Sequence, residues 1–423
     1  MSLRRNTGWA LLATVGPAPL ALLSTVVLAR ALSPADHGQL QAALALLVLA
    51  TTLGNAGFVA ATIHRVRAAS RPPAEALGVG LLGVSVAGSV LATGLWLGSP
   101  WVRSQWLLGA DPMVLGAVIC LLAPTLWGAV AGGLARGLDR FALWTRLEWL
   151  GRAGRLGAWS LLWAAGLAEP VTLLLAAALM ELVVVGAAGW GLRDVGRPTA
   201  RVDELVAAVR FGLPASLTAV AGQLHERLDI FLLAMLRGDP VEVAVYAVAV
   251  GVINRLRMVP LAVASALFPA VAGADPEEGV RLASQASRVS LAASLAGAVV
   301  VLAVAPWVVP WLFGEVYGEA VWLMAVLAPG TVAYSLYLVL ARWFQGVDQQ
   351  RVNVGALAVA GLVNVGLNLW WIPTHGALGA AAASAVSYGL QGLLVLLAFV
   401  WRAGASPWSA LIPRRNDLAW WSS

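Results

Sequence analysis

Asn254, Arg255 and Arg257 lie near the middle of an apolar run from about 242 to 270, where a guanidinium has few uses. A charge at the centre of a membrane helix costs about 2.5–3.5 kcal/mol on insertion scales, so it is kept beside a partner or a hydrated cavity. Arg stays charged when buried, and its planar fork meets a phosphate through two hydrogen bonds. On a helical wheel Arg255 and Arg257 stand about 160° apart and cannot share one narrow face. The preceding run, 205–236, carries His225, Glu226, Arg227 and Asp229. One arginine is therefore expected to pair with Glu226 or Asp229 while the other is left for an anionic ligand.

Other arginines fall inside apolar runs. Arg210 and Arg288 lie within a few turns of the inner boundary, where a long side chain snorkels to the headgroups. Arg152 and Arg155 are deeper, and Glu148 stands four residues before Arg152, a favourable intrahelical spacing. These residues fit either a structural pair or the lining of a cavity.

A second group offers oxygen. Asp229, the i, i+4 pair Asn364 and Asn368, and Ser384 and Ser387 fall at comparable depth in three different runs. Hard oxygen ligands could hold Na⁺, or Asp229 could carry a proton. Ordinary interhelical hydrogen bonding by Asn and Ser is the alternative.

The elements that position these residues follow from composition. Hydrophobic residues make up 60% of the 423-residue chain and charged residues 11%, with a mean hydropathy of +0.82. A soluble domain carries roughly 25% charge, so this is an all-α polytopic membrane protein. Runs long enough for a core of about 30 Å fall near 8–30, 38–63, 76–98, 113–134, 141–167, 170–191, 205–236, 242–270, 283–313, 319–342, 351–372 and 376–401. The run after Met1–Arg5 is too long for a signal peptide and lacks a small-x-small cleavage site, so it reads as a retained first span. Twelve spans leave no room for a soluble catalytic domain.

All 27 basic residues are Arg. With the N-terminus inside, inner loops and tails hold Arg4, Arg5, Arg65, Arg67, Arg71, Arg136, Arg140, Arg193, Arg197, Arg201, Arg281, Arg342, Arg351, Arg402, Arg414 and Arg415. Outer loops hold Arg30, Arg103 and Arg237. This asymmetry places both termini in the cytoplasm. The sequence pI near 10.3 thus reports topology and carries no sign of a nucleic-acid partner.

Residues 28–47 resemble 233–252, and Ala135–Arg140 resembles Phe344–Gln349. Two six-span lobes, 1–195 and 196–423, follow, related by a pseudo-two-fold axis along the membrane normal. Pro17, Pro19, Pro214, Pro260, Pro269, Pro306, Pro310 and Pro329 fall within spans and permit bending. Without Lys there is no phosphate-binding P-loop, and the four His are too scattered for a metal centre. Cys120 is the single cysteine and has no internal partner. The chain reads as a transporter, not an enzyme, with no cofactor and with energy from a Na⁺ or H⁺ gradient, a downhill substrate or partners.

The stretch Val27–Gly38, VLARALSPADHG, resembles the first loop of polysaccharide exporters in the multidrug/oligosaccharidyl-lipid/polysaccharide superfamily. Phe211-Gly212-Leu213-Pro214, Asp229-Ile230-Phe231-Leu232, Val245–Ala249 and the Gln345-Gly346 turn extend the resemblance over nearly the whole chain. It implies an inner-membrane flippase for a polyprenyl-diphosphate-linked oligosaccharide, such as an O-antigen, capsule or exopolysaccharide unit. Spans 1, 2, 7 and 8 of such proteins wall a cationic cavity, which gives Asn55, Arg227, Asn254, Arg255 and Arg257 as lining candidates. The cation site of related lipid II flippases corresponds in placement to Asp229, Asn364, Asn368 and Ser387, although Asn stands here where an acid is often found.

The physics agrees with that implication. Each desolvated sugar hydroxyl costs a few kcal/mol without a partner, so headgroups need a wet groove while the prenyl tail stays in lipid. Expected partners are the lipid-linked oligosaccharide, membrane lipids, and a polymerase and glycosyltransferases of the same pathway. A multidrug antiporter of the same superfamily is the first alternative, but it would present Asp or Glu to its cations. A membrane glycan polymerase or ligase would need a larger outer loop than residues 99–111 provide.

Overall fold

The computed structural model describes residues 8–9, 12–13, 16–68, 71–404 and 406–413. Arg4, Arg5, Arg414 and Arg415 lie outside them. In chain order the helices are α1 (Ala18–Ala31), α2 (Pro34–Asn55), α3 (Phe58–Arg67), α4 (Pro73–Leu97), α5 (Ser99–Gln105), α6 (Pro112–Gly137), α7 (Phe141–Ala164) and α8 (Pro170–Gly191). They continue as α9 (Asp203–Arg237), α10 (Pro240–Ile253), α11 (Met258–Ala272), α12 (Pro276–Phe313), α13 (Ala320–Gly346), α14 (Gln350–Ala403) and α15 (Pro407–Leu411).

Proline opens six of the long helices, at Pro34, Pro73, Pro112, Pro170, Pro240 and Pro276. Its fixed φ suits the first turn, and its missing N–H is one that no helix satisfies there. Side-chain caps complete several starts: Ser33 Oγ accepts from Asp36 N at 3.1 Å, Asp111 from Met113 N at 2.7 Å and Asp275 from Glu278 N at 2.9 Å. Pro17 and Pro19 belong to this class as well. They sit at the start of α1, after a turn at residues 16–17 that follows helical residues at 8–9 and 12–13.

Among the described residues, nine helices are long and apolar enough to cross a membrane. One of them, α14, is a hairpin. Its helical geometry fails at Gly376, with φ 55° and ψ −134°, and Ser387 Oγ donates back to the Ala360 carbonyl at 2.8 Å. The charged α7 and the shorter described part of the first span, α1, supply the remaining crossings of an all-α, twelve-helix membrane fold.

Two spans read as continuous are broken. The second stops at Asn55, passes through Ala56 (φ 44°) and Gly57 (φ 83°), and resumes as α3. Asn55 Oδ1 caps the new start by accepting from Val59 N at 3.1 Å. The eighth tightens into a 3₁₀ turn at Asn254–Arg257 between α10 and α11. Pro260 is the cause: its ring excludes the Leu256 carbonyl four residues back from the α-helical ladder.

By contact density the chain divides into residues 1–244 and 245–423. In the first unit Leu122, Leu126, Val130 and Leu134 of α6 pack with Phe58, Val79, Val84 and Leu147. The backbones of Gly57 and Gly212 touch, and a side chain on either would overlap the other's carbonyl group. His64 stacks on Phe211 with ring centres 4.2 Å apart. In the second unit Val263, Leu267, Leu340, Phe344, Val395 and Phe399 form the core. Trp307, Trp311, Trp322 and Trp370 remain exposed, as side chains facing lipid would be.

Candidate functional site

Helix α7 carries Trp144, Glu148, Arg152 and Arg155 at spacings of three and four, so all four fall on one face. That face meets α6 and α8 and encloses a cavity of about 290 Å³. Arg136, Trp144, Glu148, Arg152, Arg155 and Glu181 supply its polar walls, while Gly128, Gly132 and Gly151 make room for it. Arg152 Nη2 lies 3.5 Å from Glu148 Oε2, and Arg155 Nη1 lies 3.8 Å from Glu181 Oε1. Trp144 Nε1 donates to Glu148 Oε1 at 3.3 Å, and the Arg136 guanidinium carbon stands 5.1 Å over the Trp144 ring. Arg152 and Arg155 are thus both paired and cavity-lining.

The sequence reading missed two members of this set. Arg136 stands in the last turn of α6, which runs on to Gly137, and its side chain folds back, with Nε donating to the Gly132 carbonyl at 3.3 Å. Glu181 had a readable signal: it is the only charged residue in the run Pro170–Gly191.

A second cavity of the same unit, about 470 Å³, is lined by Thr51, Thr52, Asn55, Gln223 and Glu226 among others. Thr125 and Ala129 line both cavities, so the two meet on the same face of α6. Asn55 lies on the wall of this second cavity. Arg227 is half-buried on α9, four residues beyond Gln223. Asp229 is buried, with Oδ1 accepting from the Ile230 amide at 2.8 Å.

In the second unit the 3₁₀ turn presents Asn254 and Arg255 half-buried and Arg257 buried. The Arg257 guanidinium carbon lies 4.5 Å from the ring centre of Tyr334 and 4.6 Å from that of Tyr388, an aromatic clamp that stabilises a desolvated cation. Asn368 Nδ2 donates to Asn364 Oδ1 at 3.0 Å and to the Asn364 carbonyl at 2.9 Å. Asn368 Oδ1 has no donor among the described residues. Ser384 Oγ stands 3.5 Å from the Tyr246 hydroxyl, and Ser387 is committed to Ala360. Gln391, fully buried, keeps both amide atoms unpartnered among the described residues. Tyr334, Tyr388 and Gln391 were not singled out in the sequence.

Ion pairs tie the loops assigned to the inner side. Glu204 accepts from Arg65 at 2.8 Å and also pairs with Arg71. Arg140 donates to both oxygens of Asp194, which holds that carboxyl down to about 2. Among the described residues no cluster of His, Cys, Asp and Glu could hold a metal ion.

Residues 3–274 match the family model described as polysaccharide biosynthesis protein. The chain belongs to that family. Residues 205–370 also match the MatE model. The fold is shared with solved transporters. An inward-facing multidrug resistance MATE transporter of the MOP superfamily superposes with a TM-score of 0.73 at 18% identity, covering 92% of this chain and 94% of that one. The lipid II flippase MurJ, inward closed, gives 0.73 at 13%, covering 92% and 86%. A MOP superfamily transporter from Pyrococcus furiosus, described as having a binding pocket of reverse polarity, gives 0.65 at 17%, covering 95% of each chain. No curated protein matches the chain by sequence. This family member is a multi-pass membrane protein with the fold of MOP-superfamily transporters and flippases.

Proposed function

We propose that the protein is a flippase that carries a polyprenyl-diphosphate-linked oligosaccharide across the bacterial cytoplasmic membrane by alternating access between a lobe of residues 1–195 and one of 196–423. The observation that carries this reading is the charge of the intramembrane cavity: Arg136, Arg152 and Arg155 against Glu148 and Glu181. Such a wall favours an anionic headgroup over an organic cation. The family description points to polysaccharide, and MurJ, of the same fold, is a flippase.

In this reading the helix break at Asn254–Arg257 serves the diphosphate, because each guanidinium can meet it in two hydrogen bonds. The ring faces of Tyr334 and Tyr388 stabilise the Arg257 guanidinium beside that site. Asn55, Thr51, Thr52 and Gln223 offer donors and acceptors to sugar hydroxyls. Two separate groups are candidates for ion coupling: Asp229 as a proton carrier in the first unit, and Asn364, Asn368, Ser384 and Ser387 as oxygen ligands for Na⁺ in the second. A polymerase and glycosyltransferases would work on either side of the transport step.

Depletion in the host provides the test. Lipid-linked glycan should accumulate with its headgroup out of reach of an impermeant oxidant, and R255Q or R257Q should fail to relieve this while inserting normally. The carboxylates of Glu148, Glu181 and Glu226 favour one other reading, organic-cation antiport. Loss of resistance to organic cations, with no glycan accumulation, would establish that reading instead.

A further inference from the structure

The first cavity has a chemical signature that differs from a diphosphate site. Three guanidinium groups face two carboxylates, so one positive charge is left over, enough for a single carboxylate. A diphosphate would bring more negative charge than this surplus and would meet Glu148 and Glu181 at short range. Those same carboxylates are good acceptors for hydroxyl groups, and the arginines are good donors. An indole ring completes the wall at Trp144, where a pyranose can lay an apolar face. The volume, about 290 Å³, equals roughly ten waters at about 30 Å³ each, the space of one sugar ring with its nearest waters. Arg152 adds a second observation: its Nε–H is shielded from solvent and has no acceptor among the described residues, although Nη2 reaches Glu148.

We infer that this cavity is a subsite for an acidic sugar, a hexuronate-like residue whose carboxylate is held by Arg152 and Arg155 while Glu148 and Glu181 accept its hydroxyls. The second cavity, which shares Thr125 and Ala129 with it and whose polar groups are hydroxyls and amides apart from Glu226, suits the neutral sugars next in the chain. The inference rests on the reading of the protein as a glycan flippase and narrows its substrates to headgroups containing a sugar acid.

Binding of free monosaccharides to the purified full chain in nanodiscs tests the subsite without requiring flipping. Saturation-transfer NMR titrations would use D-glucuronate, D-glucose and inorganic phosphate as probes, with a thermal melt of each variant. Glucuronate should bind at least tenfold more tightly than glucose and should resist displacement by phosphate. R152Q should weaken glucuronate binding about tenfold or more. E181Q removes a negative charge but keeps an acceptor oxygen, so it should tighten glucuronate binding severalfold. These opposite signs separate ligand recognition from a merely structural role, which would weaken binding in both variants.

Displacement by phosphate, equal affinity for glucose, or weakening by both substitutions would overturn the subsite. The two readings fail separately. Glucuronate binding by a protein that flips no glycolipid would reject the flippase reading alone, and flipping without glucuronate binding would reject the subsite alone.

Discussion

The guanidinium carbon of Arg257 lies 4.5 Å over the ring of Tyr334, with Tyr388 at 4.6 Å. These faces stabilise a desolvated cation by about 2 kcal/mol. The hydroxyl groups are not needed for this, so Y334F and Y388F should transport like wild type. Y334L and Y388L should lose about tenfold in transport at unchanged protein level, measured by glycolipid translocation in membrane vesicles. Equal loss in the Phe and Leu variants would remove the aromatic clamp from the account.

Glu204 is shared by Arg65 and Arg71 across the end of α3 and the start of α9. Arg65 and Glu204 are nearly buried, while Arg71 is partly exposed. Breaking a buried pair from one side costs about 3–5 kcal/mol, and exposure reduces it. E204Q should therefore melt several degrees below wild type in detergent, toward the lower end of that cost. An unchanged melt would mean the pair contributes little.

Gly57 and Gly212 bring two backbones into contact, and Gly57 sits at φ 83°. G212A forces the helices apart and should cost about 1–3 kcal/mol. Gly186 has open space where its Cβ would be, so G186A should raise the melting temperature slightly through helix propensity. Equal melts for the two variants would show that the crossing tolerates a methyl group.

Asp194 is held at about 2 by Arg140, below its unfolded value of about 3.9. A depressed carboxylate contributes stability above the unfolded value and loses it as pH falls through the folded one. The difference in melting between wild type and D194N should thus be constant from neutral pH down to about 5 and shrink only below that. A difference that vanishes near pH 6 would assign the effect to another group.

How much of this was legible in the sequence depended on range. The twelve spans could be read because each is a long apolar run, and half of them begin at a proline whose preference for a first helical turn is local. The break at Asn254–Arg257 was harder, because Pro260 acts on a carbonyl four residues earlier and a hydropathy profile does not register it. Asn55 was reachable only by resemblance, since its cap on Val59 depends on the left-handed turn at Ala56 and Gly57. Arg257 was flagged for its depth, but Tyr334 and Tyr388 approach it from distant helices and no spacing in the sequence joins them. Glu181 could have been found by the rule applied to the arginines: a lone charge in an apolar run is costly and needs a reason to be there.

Reconstitution gives the most direct test of the central claim. Proteoliposomes carrying a fluorescent polyprenyl-diphosphate oligosaccharide should show its headgroup crossing to the opposite leaflet faster than protein-free liposomes do, and R255Q/R257Q should reduce that rate to the protein-free level. A wild-type rate no faster than protein-free liposomes, with organic cations transported instead, would contradict the account.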